Sequence, residues 1–271
     1  MKSLNHLGYD VHGCVRGENR NYDIPYLMVD LLQSIQSDMD FDVIVHAAAR
    51  SPEASFSEYF ADNVIGTRNV IDFAKRSGAK KIIYLSAVSA FGNIDEVLSE
   101  NSPHNNPGDY GLTKYVAEKL IRDSGLDYDV YILPGVVGEG CRNPYIIRLA
   151  DALYQDHDVH CYNSDGMFNN VLLVSDLCRF IAQRIENGAK GDVFLLGCTE
   201  QMRVRDIVSI LADKLNSKSK VEFDTERKGG FILNIEKALR AGFLPTKFRD
   251  ILSNICDEVV KRRRQYQERV S

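Results

Sequence analysis

The chain has 271 residues, with 33 Lys and Arg against 38 Asp and Glu, a formal charge of −5. Its 44% hydrophobic and 26% charged residues make an ordinary globular composition, not a disordered or fibrous one. The acidic balance argues against a nucleic-acid binder that relies on net positive charge, and no apolar run approaches the ~18 residues a membrane span needs.

The opening stretch, MKSLNHLGYD, has no apolar core of a secretory signal. Six cysteines (14, 141, 161, 178, 198 and 256) are scattered without a CxxC pair. That pattern points to reduced thiols in a cytoplasmic protein rather than a disulfide framework or a zinc site. Residues 10–15 read as a strand after the Gly8 helix stop, and residues 41–47 (FDVIVHA) as a second, apolar strand running into small residues. Residues 59–76 place Tyr59, Phe60, Val64, Val70, Ile71 and Ala74 at helical spacing, and Ser77-Gly78 ends that helix. Residues 81–85 (KIIYL) are a buried strand, 110–124 a helix and 129–133 a strand again. Buried strands alternating with helices predict a parallel sheet covered on both faces. Beyond about residue 138 the pattern changes. Helices are expected over 143–153, 177–187, 205–215 and most of 234–265, around an RAGFLP turn, with a short strand at 192–197. The expected division is residues 1–138 as one domain and 139–271 as a smaller lobe with some segments returning to the main sheet.

The chemistry-bearing segment is Tyr110-Gly-Leu-Thr-Lys114. On a helix, positions four apart share a face. A tyrosine with its ordinary pKa near 10 is a poor base at neutral pH, and a neighbouring Lys charge is expected to lower it. The phenolate then takes a proton from a substrate hydroxyl as hydride leaves the same carbon. Upstream, Leu85-Ser-Ala-Val-Ser-Ala-Phe-Gly92 offers hydroxyls at the end of an apolar strand, and Asp42-Val-Ile-Val-His-Ala-Ala-Ala49 offers small residues where a flat ligand can approach the backbone.

With Asp62-Asn-Val-Ile-Gly-Thr-Arg-Asn69, LPGVVGEG, NNVLLVSDL and the terminal NIEKALRAGFLP, these segments resemble the extended short-chain dehydrogenase/reductases, the NAD-dependent epimerase/dehydratase family acting on nucleotide sugars. The resemblance covers nearly the whole chain. It implies a Rossmann-type doubly wound α/β sheet with a smaller C-terminal α/β lobe for substrate. It makes Tyr110 the general acid/base and Lys114 its partner, bonded to the nicotinamide ribose. Ala47 and Ala48 would line the cofactor cleft, Asn63 would support the active-site strands, and Asp23-Ile24 would lie beside the adenine. Pro134 and Val136 would border the nicotinamide; Asn143, Asn169 and Arg227 fall where family members contact the sugar nucleotide. Family members also commonly pair as homodimers through the YxxxK helix and the helix before it.

Several features depart from the family pattern. The expected first strand and G-x-x-G-x-x-G turn, which cradle the pyrophosphate, are not found, and residues 2–7 resemble the second half of the first helix. The expectation is a start placed too late or a disrupted gene, two exposed strand edges, and weak cofactor binding by a chain beginning at Met1. Ala87 stands where the family has its catalytic Ser or Thr, leaving Ser86 or Ser89 as substitutes; Ser89, two residues along a strand, would share the face of Ala87. Ala87-Val88-Ser89 also lacks the acid of the 4,6-dehydratases, which favours an epimerase or a reductase. Asn169 replaces an Arg found on the diphosphate in many epimerases. Arg16, after the strand at residues 10–15 that matches the family's second strand, can face a 2′-phosphate, so NAD and NADP both remain open. His157 and His160 have no third ligand at metal-site spacing, and the basic run 261–264 suits a helix C-terminus. The readings left standing are a nucleotide-sugar epimerase, a reductase of the same family, and a non-catalytic relic that binds sugar nucleotide only.

Overall fold

A computed structural model describes residues 2–17, 24–50, 53–94, 96–141, 144–188, 190–224 and 230–270. The chain divides into two compact units: residues 1–93, 100–132 and 178–194 form the first, and 94–99, 133–177 and 195–271 the second.

The first unit holds a four-stranded sheet in the order Val193–Leu195, Asp127–Leu133, Lys81–Ala87, Val43–His46. Val43–His46 runs parallel to Lys81–Ala87, with Val43 opposite Lys81 and His46 opposite Tyr84. Ile82, Ile83, Val130, Tyr131 and Ile132 are fully enclosed, as expected for strands covered on both faces. The Gly66–Arg76 helix buries Val70, Ile71, Phe73 and Ala74. The Asp109–Arg122 helix buries Gly111, Thr113, Lys114, Ala117, Glu118 and Ile121. This is the Rossmann-type arrangement that the sequence implies. Gly13–Val15 and Tyr26–Met28 pair in parallel as a separate two-stranded sheet.

One ion cluster ties the sheet's far side together. Arg184, from the Val174–Glu186 helix, donates from Nε and Nη2 to the two Asp129 carboxylate oxygens at 3.1 and 2.8 Å. Lys81 Nζ lies 3.2 Å from the same carboxylate, which is wholly buried. Residues 178–194 therefore belong with the sheet, although they follow the point where the sequence pattern changes.

The second unit is built on three helices, Tyr145–Tyr154, Val204–Leu215 and Phe248–Val270, which pack against one another. Ala150, Leu153, Leu211, Phe248, Ile251, Leu252 and Val259 fill their interface. Short strand pairs surround them: Gly135–Val137 with Val171–Leu173, Val159–Cys161 with Val221–Phe223, Met167–Phe168 with Met202–Arg203, and Val97–Leu98 with Ile232–Leu233. Residues 94–99 join this unit, where Val97–Leu98 pairs with Ile232–Leu233. Among the described residues, no helix is long and apolar enough to cross a membrane.

Replacing Asp129 by Ala leaves two buried cations without their shared carboxylate. The expected loss is about 3–5 kcal/mol, read as a lower urea midpoint at an unchanged m-value.

Candidate active site

The Asp109–Arg122 helix starts from an extended Gly108, with Asp109 in its first turn and Lys119 and Arg122 in its last. Those charges complement the helix dipole at both ends. Tyr110 and Lys114 follow one turn apart. Lys114 is almost fully buried; its Nζ donates to the Leu85 carbonyl at 2.7 Å and lies 4.2 Å from the centre of the Tyr84 ring. Burial lowers its pKa to about 7, against an opposing pull from Glu118.

Tyr110 is half-buried and meets Tyr59 edge to face, ring centres 5.7 Å apart. Its pKa is raised, first by burial and then by Tyr59. This corrects the expectation that Lys114 lowers it. The reason is geometric: the ammonium points at the Leu85 carbonyl, and its own burial disfavours its charge.

The strand-end hydroxyls divide sharply. Ser86 is buried and donates to Glu118 Oε1 in a very short contact. Ser89 does not continue the strand. It lies in a 3₁₀ turn, Val88–Phe91, so its expected alternation with Ala87 does not apply. Its hydroxyl oxygen is buried without a hydrogen-bond partner. The turn lies against the helix at Gly111, where a Cβ would stand 2.0 Å from the Ser89 carbonyl oxygen. Gly111 is thus required for the backbone of this turn to pack against the helix.

Asn63 sits in a π-helical segment, Phe60–Ile65, a distortion often found at functional sites. Its side chain accepts from the Arg50 backbone N–H at 2.8 Å and donates to Thr113 Oγ1 at 3.0 Å. Thr113 in turn donates to the Tyr110 carbonyl. Asn63 therefore holds the turn after Val43–His46 against the first turn of the Tyr110 helix. Thr67 donates to the Asn63 carbonyl at 2.5 Å, so it accepts from His46 Nε2 at 2.8 Å. Burial first, then Lys114, lowers the His46 pKa to about 3.

Ala47 and Ala48 are exposed at the end of Val43–His46. Arg16 Nη2 donates to Asp62 at 2.9 Å, and Arg50 Nε lies 2.7 Å from the other oxygen of that carboxylate. Ile24 is buried in the core. Asp23, Asn143 and Arg227 lie outside the described residues. Pro134 and Val136 are half-buried in the second unit, at the end of Asp127–Leu133 and in Gly135–Val137. Asn169 is buried; its amide donates to the Leu233 carbonyl at 3.0 Å and accepts from the Leu233 N–H at 2.7 Å. Its side chain acts as one more strand partner for Leu233. Among the described residues, no group of three or more His, Cys, Asp or Glu could hold a metal ion.

The sequence reading assigns no site role to Glu118 or Asp62, and weighs Arg50 only as an alternative to Arg16. Glu118 had a signal: it shares the spacing of Lys114, Ala117 and Ile121, which marks the buried face of the helix. Arg50 and Asp62 carry none, because only the fold brings them together.

A parallel sheet with a Tyr-x-x-x-Lys helix beside its strand ends is the architecture of a dinucleotide-dependent oxidoreductase class. The family model described as the NAD dependent epimerase/dehydratase family matches residues 1–197, and the chain belongs to that family. A putative UDP-glucose 4-epimerase of Methanocaldococcus jannaschii is 25% identical over 224 residues, covering 76% of this chain and 72% of the relative. The N-acetyl-alpha-D-glucosaminyl-diphospho-ditrans,octacis-undecaprenol 4-epimerase of Escherichia coli O157:H7 is 26% identical, over 66% of this chain and 56% of its own length. Among solved structures, a putative epimerase from Burkholderia cenocepacia superposes with a TM-score of 0.82 at 23% identity, covering 95% of this chain and 92% of the other. MoeE5 in complex with UDP-glucose and NAD superposes at 0.80 and 21%, covering 96% and 93%.

Neutral, buried His46 makes stability depend on acid. Its folded pKa lies below the unfolded value, so the unfolded chain binds the extra proton. Stability falls as pH drops from about 6.5 toward 3, by up to about 1.4 kcal/mol per pH unit for this one site. Urea denaturation at stepped pH should show a shallower slope in His46→Gln over that window; equal slopes would remove the assignment.

Proposed function

We propose that the chain is an NAD(P)-dependent nucleotide-sugar epimerase in which Tyr110 is the acid/base. The observation that carries this reading is a helix that bears Tyr110 one turn before a buried, strand-anchored Lys114, with the Ser89 turn packed against it at Gly111. The residues present suit a dinucleotide and a hydroxylated substrate. Ala47 and Ala48 leave a strand end open to a flat ring, and Ser89 is a buried hydroxyl still owed a partner, of the kind that marks functional sites.

A bound oxidised dinucleotide would supply a reversible hydride acceptor and a positive charge next to the sugar carbon. The protein's residues handle the proton. Tyr110 Oη takes the proton from the sugar hydroxyl as the carbon is oxidised to a ketone, and gives it back on reduction. The raised pKa of free Tyr110 suits the donating half of that cycle. Ser89 donates a hydrogen bond to the same sugar oxygen. Lys114 holds the helix against Leu85 and offers its ammonium to the ribose. Pro134 and Val136 would border the nicotinamide; Asp23, Asn143 and Arg227 complete the binding roles implied by family resemblance. Arg16, paired with Asp62, leaves both NAD and NADP as cofactors. Cysteines scattered along the chain without a CxxC pair support a cytoplasmic setting.

A homodimer is part of the same reading. Phe56, Phe60, Ile65 and Leu112 are exposed apolar side chains on packed elements next to the site. Exposed apolar side chains on these neighbouring elements, with the Phe56 and Phe60 rings 6.1 Å apart, support contact with a second copy. Sedimentation should give a dimer for the wild type and a monomer for Leu112→Glu; a monomeric wild type would end this part of the reading.

UDP-glucose and UDP-galactose interconversion with NAD or NADP tests the chemistry. Tyr110→Phe should reduce kcat by about 10²–10⁴-fold, and Ser89→Ala by about 10²-fold. Epimerisation leaves the cofactor balance unchanged, whereas net NAD(P)H consumption would identify a reductase. Binding of UDP-glucose without turnover, unchanged by Tyr110→Phe, would favour a non-catalytic binder.

A further inference from the structure

We propose that Glu118 is a positioning residue for the Tyr110–Lys114 pair, its buried carboxylate fixed by Ser86 and keeping the Lys114 ammonium charged and aimed at the Leu85 carbonyl. This rests on the reading of Tyr110 and Lys114 above and extends it to a group that neither the motif nor the comparisons assign.

The geometry begins with two adjacent strand residues. Leu85 offers its carbonyl to Lys114 Nζ at 2.7 Å, and Ser86 donates its hydroxyl to Glu118 Oε1. Lys114 and Glu118 are one helical turn apart and lie on the same buried face. The helix therefore grips the strand through two successive turns, immediately before the chain leaves for Ala87 and Ser89. Glu118 is about as buried as any residue in the unit. A carboxylate in that position carries a large desolvation cost unless it is hydrogen-bonded and faces a cation. Ser86 meets the first condition, and Arg122 at 3.5 Å with the charge of Lys114 the second, although burial still prevails and raises the Glu118 pKa.

The charged and titratable neighbours are few. Lys114 is surrounded by the Tyr84 ring, the Leu85 carbonyl, His46 from the next strand and Glu118. Glu118 is faced by Ser86, Tyr84, Arg122 at 3.5 Å, and His104, which stacks on Phe91 and Tyr115. His46 is held neutral. Among the described residues, Glu118 is the acidic side chain that acts on Lys114 in the direction that favours its charge, against burial. Removing that negative charge while keeping the side chain's shape should release the Lys114 proton at lower pH.

The test follows Lys114 directly, through its side-chain Cε resonance in labelled protein, assigned by its loss in Lys114→Met. Glu118→Gln should weaken the proton affinity of Lys114 by about tenfold, one unit of midpoint. Glu118→Asp, which keeps the charge, should restore most of it. Ser86→Ala, which removes the donor that favours the carboxylate, should shift the midpoint in the same direction by a smaller amount, and serves if Glu118→Gln does not fold. An unmoved Lys114 midpoint in the variants that fold, or equal shifts in Glu118→Gln and Glu118→Asp, would overturn the proposal. The pH profile of UDP-glucose turnover, where turnover exists, should move with the midpoint. A moved midpoint with no turnover in any form of the protein would instead count against the epimerase reading and leave the role of Glu118 intact.

Discussion

Lys114 carries its charge out of water and onto the Leu85 carbonyl, 2.7 Å away, with an aromatic face against its other side. An ammonium so buried is costly to keep charged, and its pKa falls to about 7 as a result. Much of the first unit's polar interior is arranged around that one cation. Tyr84 gives it a ring, Leu85 an acceptor and Glu118 a counter-charge, while His46 nearby stays neutral. The same helix delivers Tyr110 and, through Gly111, admits the Ser89 turn. A shift of the helix along the strand would disturb all of these contacts together.

The apolar skeleton was legible in the sequence because its periods are long enough to read. KIIYL, FDVIVHA and the 110–124 stretch each repeat their pattern over several residues, and the structure has elements at those places. The strand pairs of the second unit were not legible. Segments such as Met167–Phe168 and Ile232–Leu233 are two residues long and carry no period. Their pairing depends on distant partners, and Asn169 shows how: its amide imitates a strand backbone for Leu233, 64 residues on.

The site was legible as residue types and much less so as electrostatics. Tyr110 and Lys114 stand on one helix as their spacing requires. The sign of the Tyr110 shift was misread because spacing gives proximity but not direction. The ammonium turned toward a backbone carbonyl, and burial then dominated the phenol. Arg50 and Asp62 illustrate the opposite limit. They are twelve positions apart on different elements, and only the π-helical segment that carries Asp62 and Asn63 sets the two side chains against Arg50.

The serine question turns on strand alternation. Tyr84 and Ser86 are two apart on Lys81–Ala87 and share a face. Tyr84 meets Lys114 and Ser86 meets Glu118, so that face is the one covered by the Asp109–Arg122 helix. Ala87 must point to the other side, and Ser86 cannot take its place without breaking the Glu118 contact and turning the strand over. Beyond Ala87 the chain abandons the strand for a 3₁₀ turn, which breaks the alternation and gives Ser89 a direction of its own. The two hydroxyls therefore have separate surroundings. On the reading proposed above, Ser86 fixes the carboxylate that steadies Lys114, and Ser89, its hydroxyl oxygen buried without a hydrogen-bond partner, is the one left for a substrate oxygen.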